Sequence, residues 1–192
     1  FGDKNAGTGK AVTVSGATLS DGSNGGLASN YTVASVTGLS ANITQKALTV
    51  SGVSVASKSY DGTTAATVSG GTLNGLVTGE TLVLSGQTGV FADKNAGAVK
   101  AVTVSGATLA DGSGLASNYT VSNPTGATGT ITQKALTVSG VTASDKVYDG
   151  GTAATLSGGA LAGMVGTETL GLSGLSGVFG DKNAGAAKAV TV

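Results

Sequence analysis

The side chains with chemical reach in this sequence are few, and most of them sit in recurring clusters. Tyr60-Asp61-Gly62 returns as Tyr148-Asp149-Gly150, and Asp93-Lys94-Asn95-Ala96-Gly97 has counterparts beginning at Asp3 and Asp181. Glu80 and Glu168 are the only glutamates, and each is followed by Thr-Leu. An exposed Tyr beside an Asp could contact a ligand. The plainer reading is a core or corner Tyr followed by an Asp-Gly turn, where Asp accepts from nearby backbone N–H groups and Gly supplies φ > 0. Asp, Lys and Asn side by side suggest two sharper chemistries. A Ca²⁺ ion needs about 6–8 oxygen ligands, so one Asp and one Asn are too few, and the adjacent Lys repels the ion. A Lys–Asn isopeptide cross-link needs a buried Lys, an Asn and a carboxylate in one apolar pocket. The residue types are present, but the expectation for this segment is a polar turn. Asp21-Gly-Ser-Asn-Gly-Gly26 lacks the Asp-x-Asp spacing and closing Glu of a calcium loop and reads as a simple loop.

What is missing bounds the chemistry further. The chain has no His, no Cys and no Arg, since all ten cations are Lys. A nucleophile–base pair cannot be built without His or Cys, short of Lys- or carboxylate-based schemes. Phosphate-binding glycine loops need a strand–loop–helix context, which the pattern does not offer. No catalytic, cofactor-binding or metal-binding residue is assigned, no cofactor is expected, and the chain is not expected to be an enzyme. Its formal net charge of zero gives no electrostatic reason to bind nucleic acid or anionic lipid. No run approaches the roughly 18 apolar residues of a spanning helix. Disorder is also disfavoured, because 40% of the residues are hydrophobic and β-branched runs recur.

These clusters are placed by a long internal repeat. Lys10-Ala-Val-Thr-Val-Ser-Gly-Ala-Thr-Leu19 recurs unchanged as Lys100–Leu109, Leu27–Val33 as Leu115–Val121, and Ile43–Val53 as Ile131–Val141. The offset is 90 residues before Leu27 and 88 after it, because Asp21–Gly26 carries two residues more than Asp111–Gly114. Insertions collect in surface loops, so that segment reads as a loop tip. Such a period is too long for one solenoid coil of about 20–45 residues and suits a small β domain. The expected division is 1–46 as the back of one module, 47–134 as a complete module, and 135–192 as the front of the next. The chain opens inside a repeat at Phe1, which reads as a segment of a longer array.

Period-2 alternation marks the strands. Ala47-Leu-Thr-Val50 sets Leu48 and Val50 on one face, Ala101-Val-Thr-Val104 does the same with its valines, and Tyr31 pairs with Val33. Ser-Gly, Asp-Gly and Asn-Ala-Gly clusters between them are turn chemistry. The expected fold is all-β, a tandem array of small β-sandwich-like modules of about seven strands. A β-grasp-like module with one short helical turn, placed in Thr72–Glu80, is the alternative. Ile43–Val50 and Ile131–Val138 contain neither Gly nor Pro and read as continuous strands that would make stiff joints.

The order Lys46-Ala-Leu-Thr-Val-Ser-Gly52, Lys58-Ser-Tyr-Asp-Gly-Thr-Thr-Ala-Ala66, Phe91-Ala-Asp-Lys-Asn-Ala-Gly97, Lys100-Ala-Val-Thr-Val-Ser-Gly106 and Asn118-Tyr-Thr-Val121 resembles the YDG domain. That domain is a repeat of large Gram-negative exoproteins similar to filamentous haemagglutinins. The resemblance implies a secreted, surface-displayed stalk or fibre for attachment or biofilm matrix, with no catalytic residues. Expected partners are other copies, with glycan or protein engaged through other regions, and neither nucleic acid nor membrane insertion. The alternative function is a glycan- or protein-binding module repeated along the stalk. Exposure of Tyr31 and Tyr119 separates the two, because buried tyrosines leave few aromatics to stack on sugars.

Overall fold

The computed structural model describes residues 1–192 and divides them into two compact units. The first comprises Phe1–Ala56, Ala65–Val90 and Ala101–Thr128, and the second Ser57–Thr64, Phe91–Lys100 and Gly129–Val192. The fold is all-β and is built from several small sheets.

In the first unit the ten-residue strand Lys46–Val55 lies between two partners. It runs antiparallel to Val68–Asn74 and parallel to Tyr119–Val121. Alternation sets its faces, as the sequence predicts: Leu48 and Val50 are buried and Thr49 is exposed. Val102 and Val104 of Gly97–Ser105 are likewise buried, and Tyr119 completes this apolar set. Each such side chain contributes about 1.5–3 kcal/mol. The ladder skips from the Ser51–Thr72 pair to the Val53–Gly70 pair. Between them Gly52 and Gly71 both sit at positive φ, and a Cβ on Gly71 would lie 3.0 Å from Val50 and 3.1 Å from Leu84. Glycine there admits both the kink and the close packing.

The second unit repeats part of this plan. Thr137–Ala143 pairs antiparallel with Leu156–Ala162, with Gly140 opposite Gly159 in the same skipped position. Lys58–Ser59 runs parallel to Ile131–Thr132, and Gly177–Phe179 pairs with both Ala153–Ala154 and Val190–Thr191. Phe91 and Ile131 are its fully buried side chains.

Three expectations need correction. The joints are not continuous strands. One strand ends at Ile43 and the next begins at Lys46; in the second copy the break runs from Gln133 to Leu136. The reason is pairing: Leu39–Ile43 serves Gly7–Val12, whereas Lys46–Val55 serves Val68–Asn74 and Tyr119–Val121. A chain leaving one ladder for another must turn, and Gln45 Nε2 holds that turn by donating to the carbonyls of Ser117 at 3.0 Å and Tyr119 at 3.3 Å. Thr72–Glu80 is a strand as far as Asn74, followed by one turn closed from Glu80 N–H to Val77 O at 3.0 Å. The 3-10 turns lie instead at Ala28–Asn30 and Ala116–Asn118. Finally, ten strands rather than about seven fall between Lys46 and Thr132, several only two residues long.

Candidate functional site

The polar clusters singled out by the repeat all form, and each closes a turn. In Asp93–Gly97 the Asp93 carboxylate accepts the Asn95 N–H at 2.8 Å, an Asx turn, and the Lys100 ammonium at 2.7 Å. The same clasp joins Asp3 to Lys10 and Asp181 to Lys188, where the lysines also donate to the carbonyls of Asn5 at 2.8 Å and Asn183 at 2.6 Å. The lysine seven residues on, and not the one inside the motif, neutralises the carboxylate. Its ammonium bond, and next the Asn95 N–H, hold Asp93 below the usual carboxylate range. Lys100 thus meets a carboxylate rather than an asparagine side-chain amide. No three Asp or Glu side chains gather into a metal-binding group.

The Tyr-Asp-Gly turn is clasped from the other side. Asp61 Oδ1 accepts Lys58 Nζ, Thr63 N–H and Thr63 Oγ1, each at 2.9 Å. With Lys58 as the largest cause, these bonds bring the Asp61 carboxyl down to about 2. Gly62 takes φ 80°, the left-handed conformation that an Asp-Gly turn requires. Lys58 also lies over the Phe91 ring at 5.7 Å, so the turn is fastened to the buried aromatic beneath it. The third copy repeats this with Lys146, Asp149 and Phe179, except that Gly151 supplies only its N–H where Thr63 supplies a hydroxyl as well.

Asp21 caps a loop. Its carboxylate accepts Ala28 N–H at 2.7 Å, and Asp111 accepts Ala116 N–H at the same distance. The reach is seven residues in one copy and five in the other. The two-residue insertion is therefore absorbed at the loop tip, as expected, without losing the cap.

The two glutamates join segments far apart in sequence. Glu80 Oε1 accepts Lys4 Nζ at 3.2 Å, and its Oε2 accepts the Tyr119 hydroxyl at 2.7 Å. That hydroxyl in turn accepts the Val77 N–H at 3.2 Å. Glu168 Oε1 accepts Lys94 Nζ at 3.1 Å and the hydroxyl of Tyr60, while Lys94 lies 5.9 Å from the centre of the Tyr60 ring. Tyr119 chiefly, then Lys4, lowers the Glu80 pKa; Tyr60 chiefly, then Lys94, lowers that of Glu168. Lys94 is raised by Glu168 and then Tyr60. Sequence reasoning noticed that the glutamates are equivalent but missed their partners. The available signal was that Lys4 and Lys94 are equivalent too.

The Tyr-Asp-Gly turn and the Asp-Lys-Asn turn thus recur with their clasps intact. A family model described as the YDG domain matches residues 1–38, 44–127 and 132–192. The chain belongs to the YDG domain family. No curated protein and no solved structure matches it. The eponymous YDG residues do different work within one motif: Asp61 and Gly62 make the turn, and Tyr60 points its hydroxyl at Glu168. The discriminating tyrosines divide between the YDG copies, with Tyr119 only 4% exposed and Tyr31 68% exposed.

Proposed function

We propose that this YDG-domain chain is a structural repeat segment of a secreted bacterial surface adhesin or extracellular fibre, acting as stalk or filament and not as an enzyme. One observation carries the reading. Of ten carboxylate side chains, all but Asp145 are engaged, either with a lysine or with the N–H that closes a turn. Carboxylates held ionised by ammonium groups are poor general bases, since a base needs a pKa near the working pH. Their arrangement supports a chain whose polar residues are committed to holding short strands and turns in place. Absence of Cys suits a protein stabilised by pairing and packing alone. The test is antibody labelling of intact and permeabilised producing cells. Surface label on intact cells is expected, and label seen only after permeabilisation contradicts the proposal.

A second reading, a glycan- or protein-binding module, is favoured by one feature. Tyr148 is 60% exposed beside a hollow of about 550 Å³ lined by Lys146, Phe179, Asp181 and Lys182. Under it, a glycan array probed with the chain gives binding that Tyr148→Ala abolishes.

A further inference from the structure

Two lysines accompany each Asp-Lys-Asn turn, and they do different work. The lysine seven residues after the aspartate stays inside its own copy, as Lys10 with Asp3, Lys100 with Asp93 and Lys188 with Asp181. The lysine within the motif reaches out of it. Lys4 of the first copy donates to Glu80 of the second at 3.2 Å, and Lys94 of the second donates to Glu168 of the third at 3.1 Å. These glutamate nodes are one contact made twice. The paired residues are 76 and 74 positions apart. The difference is the two-residue insertion in Asp21–Gly26, which lies between Lys4 and Glu80. The copies therefore meet in one register although the loop between them differs in length.

Each node is backed by further contacts between the same two copies. At the first, Ala6 N–H donates to Asn118 Oδ1 at 2.8 Å, and Asn118 Nδ2 donates to Asn5 Oδ1 at 3.0 Å. At the second, Glu168 also accepts the Tyr60 hydroxyl, and a Cβ on Gly62 would fall 2.9 Å from Val165 Cγ1. The third residue of the Tyr-Asp-Gly motif must therefore be small for a second reason besides its φ of 80°. Both glutamates end matching turns, closed from Glu80 N–H to Val77 O at 3.0 Å and from Glu168 N–H to Val165 O at 3.1 Å. The compact units follow these contacts and not the repeat. Ser57–Thr64 and Phe91–Lys100 hold the two polar turns of the second copy, yet they cluster with Gly129–Val192, which is mostly third copy. Phe1–Ala56 and Ala65–Val90 likewise bring Lys4 and Glu80 into one unit.

We propose that the Asp-Lys-Asn and Tyr-Asp-Gly turns of one copy form a docking surface whose partner is the Val-x-x-Glu turn of the next copy in the same chain, with the lysine inside the motif as the residue that selects it. The clasp makes this selection possible. Lys100 neutralises Asp93, which leaves Lys94 free to serve the glutamate of the neighbour. The turns of one copy are then coupled to the copy that follows, as a nearest-neighbour interface in a repeat array. The inference concerns how successive copies recognise each other and stands whether or not the chain is exported, so its failure is distinct from that of the stalk reading.

Zero-length carbodiimide coupling of the intact chain tests it, since the reagent condenses a lysine with a carboxylate in contact with it, with loss of one water. Peptide mapping should find Lys4 joined to Glu80 and Lys94 joined to Glu168. Their yields should stand several-fold above those of Lys46 or Lys134, which make no ion pair, joined to either glutamate. The Lys100–Asp93 link is the positive control. In a mixture of ordinary and isotope-labelled chain, each linked pair should carry a single isotope. Absence of both links while Lys100–Asp93 forms, yields equal to those of Lys46 and Lys134, or pairs of mixed isotope overturn the proposal. The coupling is read separately, at low ionic strength where an exposed ion pair is least screened. Lys94→Met and Glu168→Gln, made singly and together, should lower Tm by amounts that do not add. Additive losses also overturn it.

Discussion

Lys10–Leu19 and Lys100–Leu109 have the same ten residues and two different structures. In the second copy the segment is strand to Ser105 and again from Thr108, with Val104 buried. In the first, strand ends at Val12, and Val14 and Leu19 are exposed. The difference lies in the partners. Thr108–Asp111 pairs with Leu82–Ser85, and Val102 N–H donates to Ala127 O at 2.9 Å. The first copy pairs only from Gly7 to Val12, against Leu39–Ile43. Strand propensity describes how well a side chain fits a pleated surface, and without that surface the same valines do not form a strand. The glutamate nodes teach the same lesson in polar terms, since equivalent glutamates collect different partners according to which copies adjoin them.

The strongest way to break this comparison is in the apolar faces. Leu48 is fully buried and its equivalent Leu136 is not. Leu48→Ala should cost about 2–5 kcal/mol and Leu136→Ala clearly less, read by chemical denaturation; equal losses would mean that both copies are packed alike. Next come the tyrosines. Tyr119→Phe leaves Glu80 and the Val77 N–H without their shared hydroxyl and should cost about 1–3 kcal/mol. Tyr31→Phe, at an exposed site, should stay within about 0.5 kcal/mol. A smaller contrast lies in the decapeptide itself. Gly16 and Gly106 both have φ near 80°, but a Cβ on Gly106 would meet Gly86 O at 2.7 Å whereas one on Gly16 meets nothing. Gly16→Ala pays the left-handed cost of about 1–2 kcal/mol alone, and Gly106→Ala loses more, as thermal melts would show.

The smallest contrast is electrostatic. Asp61 has the Thr63 hydroxyl as a donor and Asp149 does not, so in an NMR titration Asp61 should titrate at lower pH than Asp149. The sign follows from depression. With about 3.9 unfolded and about 2 folded, the contribution of Asp61 is whole above about pH 4 and is lost as pH falls through about 2. The other clasped carboxylates are lowered in the same direction, so stability should fall in acid and stay level between pH 5 and 8, where His would titrate and the chain has none.

These contrasts also mark what could be seen in the sequence. The buried faces of Ala47–Val50 and Ala101–Val104 were legible because period 2 is a local property. So were the Asx and Asp-Gly turns, whose bonds span two residues. The Lys100 clasp spans seven, and Tyr60 meets Glu168 across 108 residues; the repeat returns these residues at equivalent positions, but no local period shows that they touch. The break after Ile43 was hidden for a related reason. Nothing in Ile-Thr-Gln-Lys-Ala forbids a strand, and the turn there comes from the two ladders that claim its ends.

Residue-resolved amide hydrogen exchange of the intact chain tests directly whether neighbouring strands, and not the decapeptide's own sequence, decide its structure. The account predicts strong protection from Ala101 to Ser105 and again from Leu109 to Asp111, and near-unprotected exchange from Thr13 to Leu19. Equal protection in the two copies would contradict it.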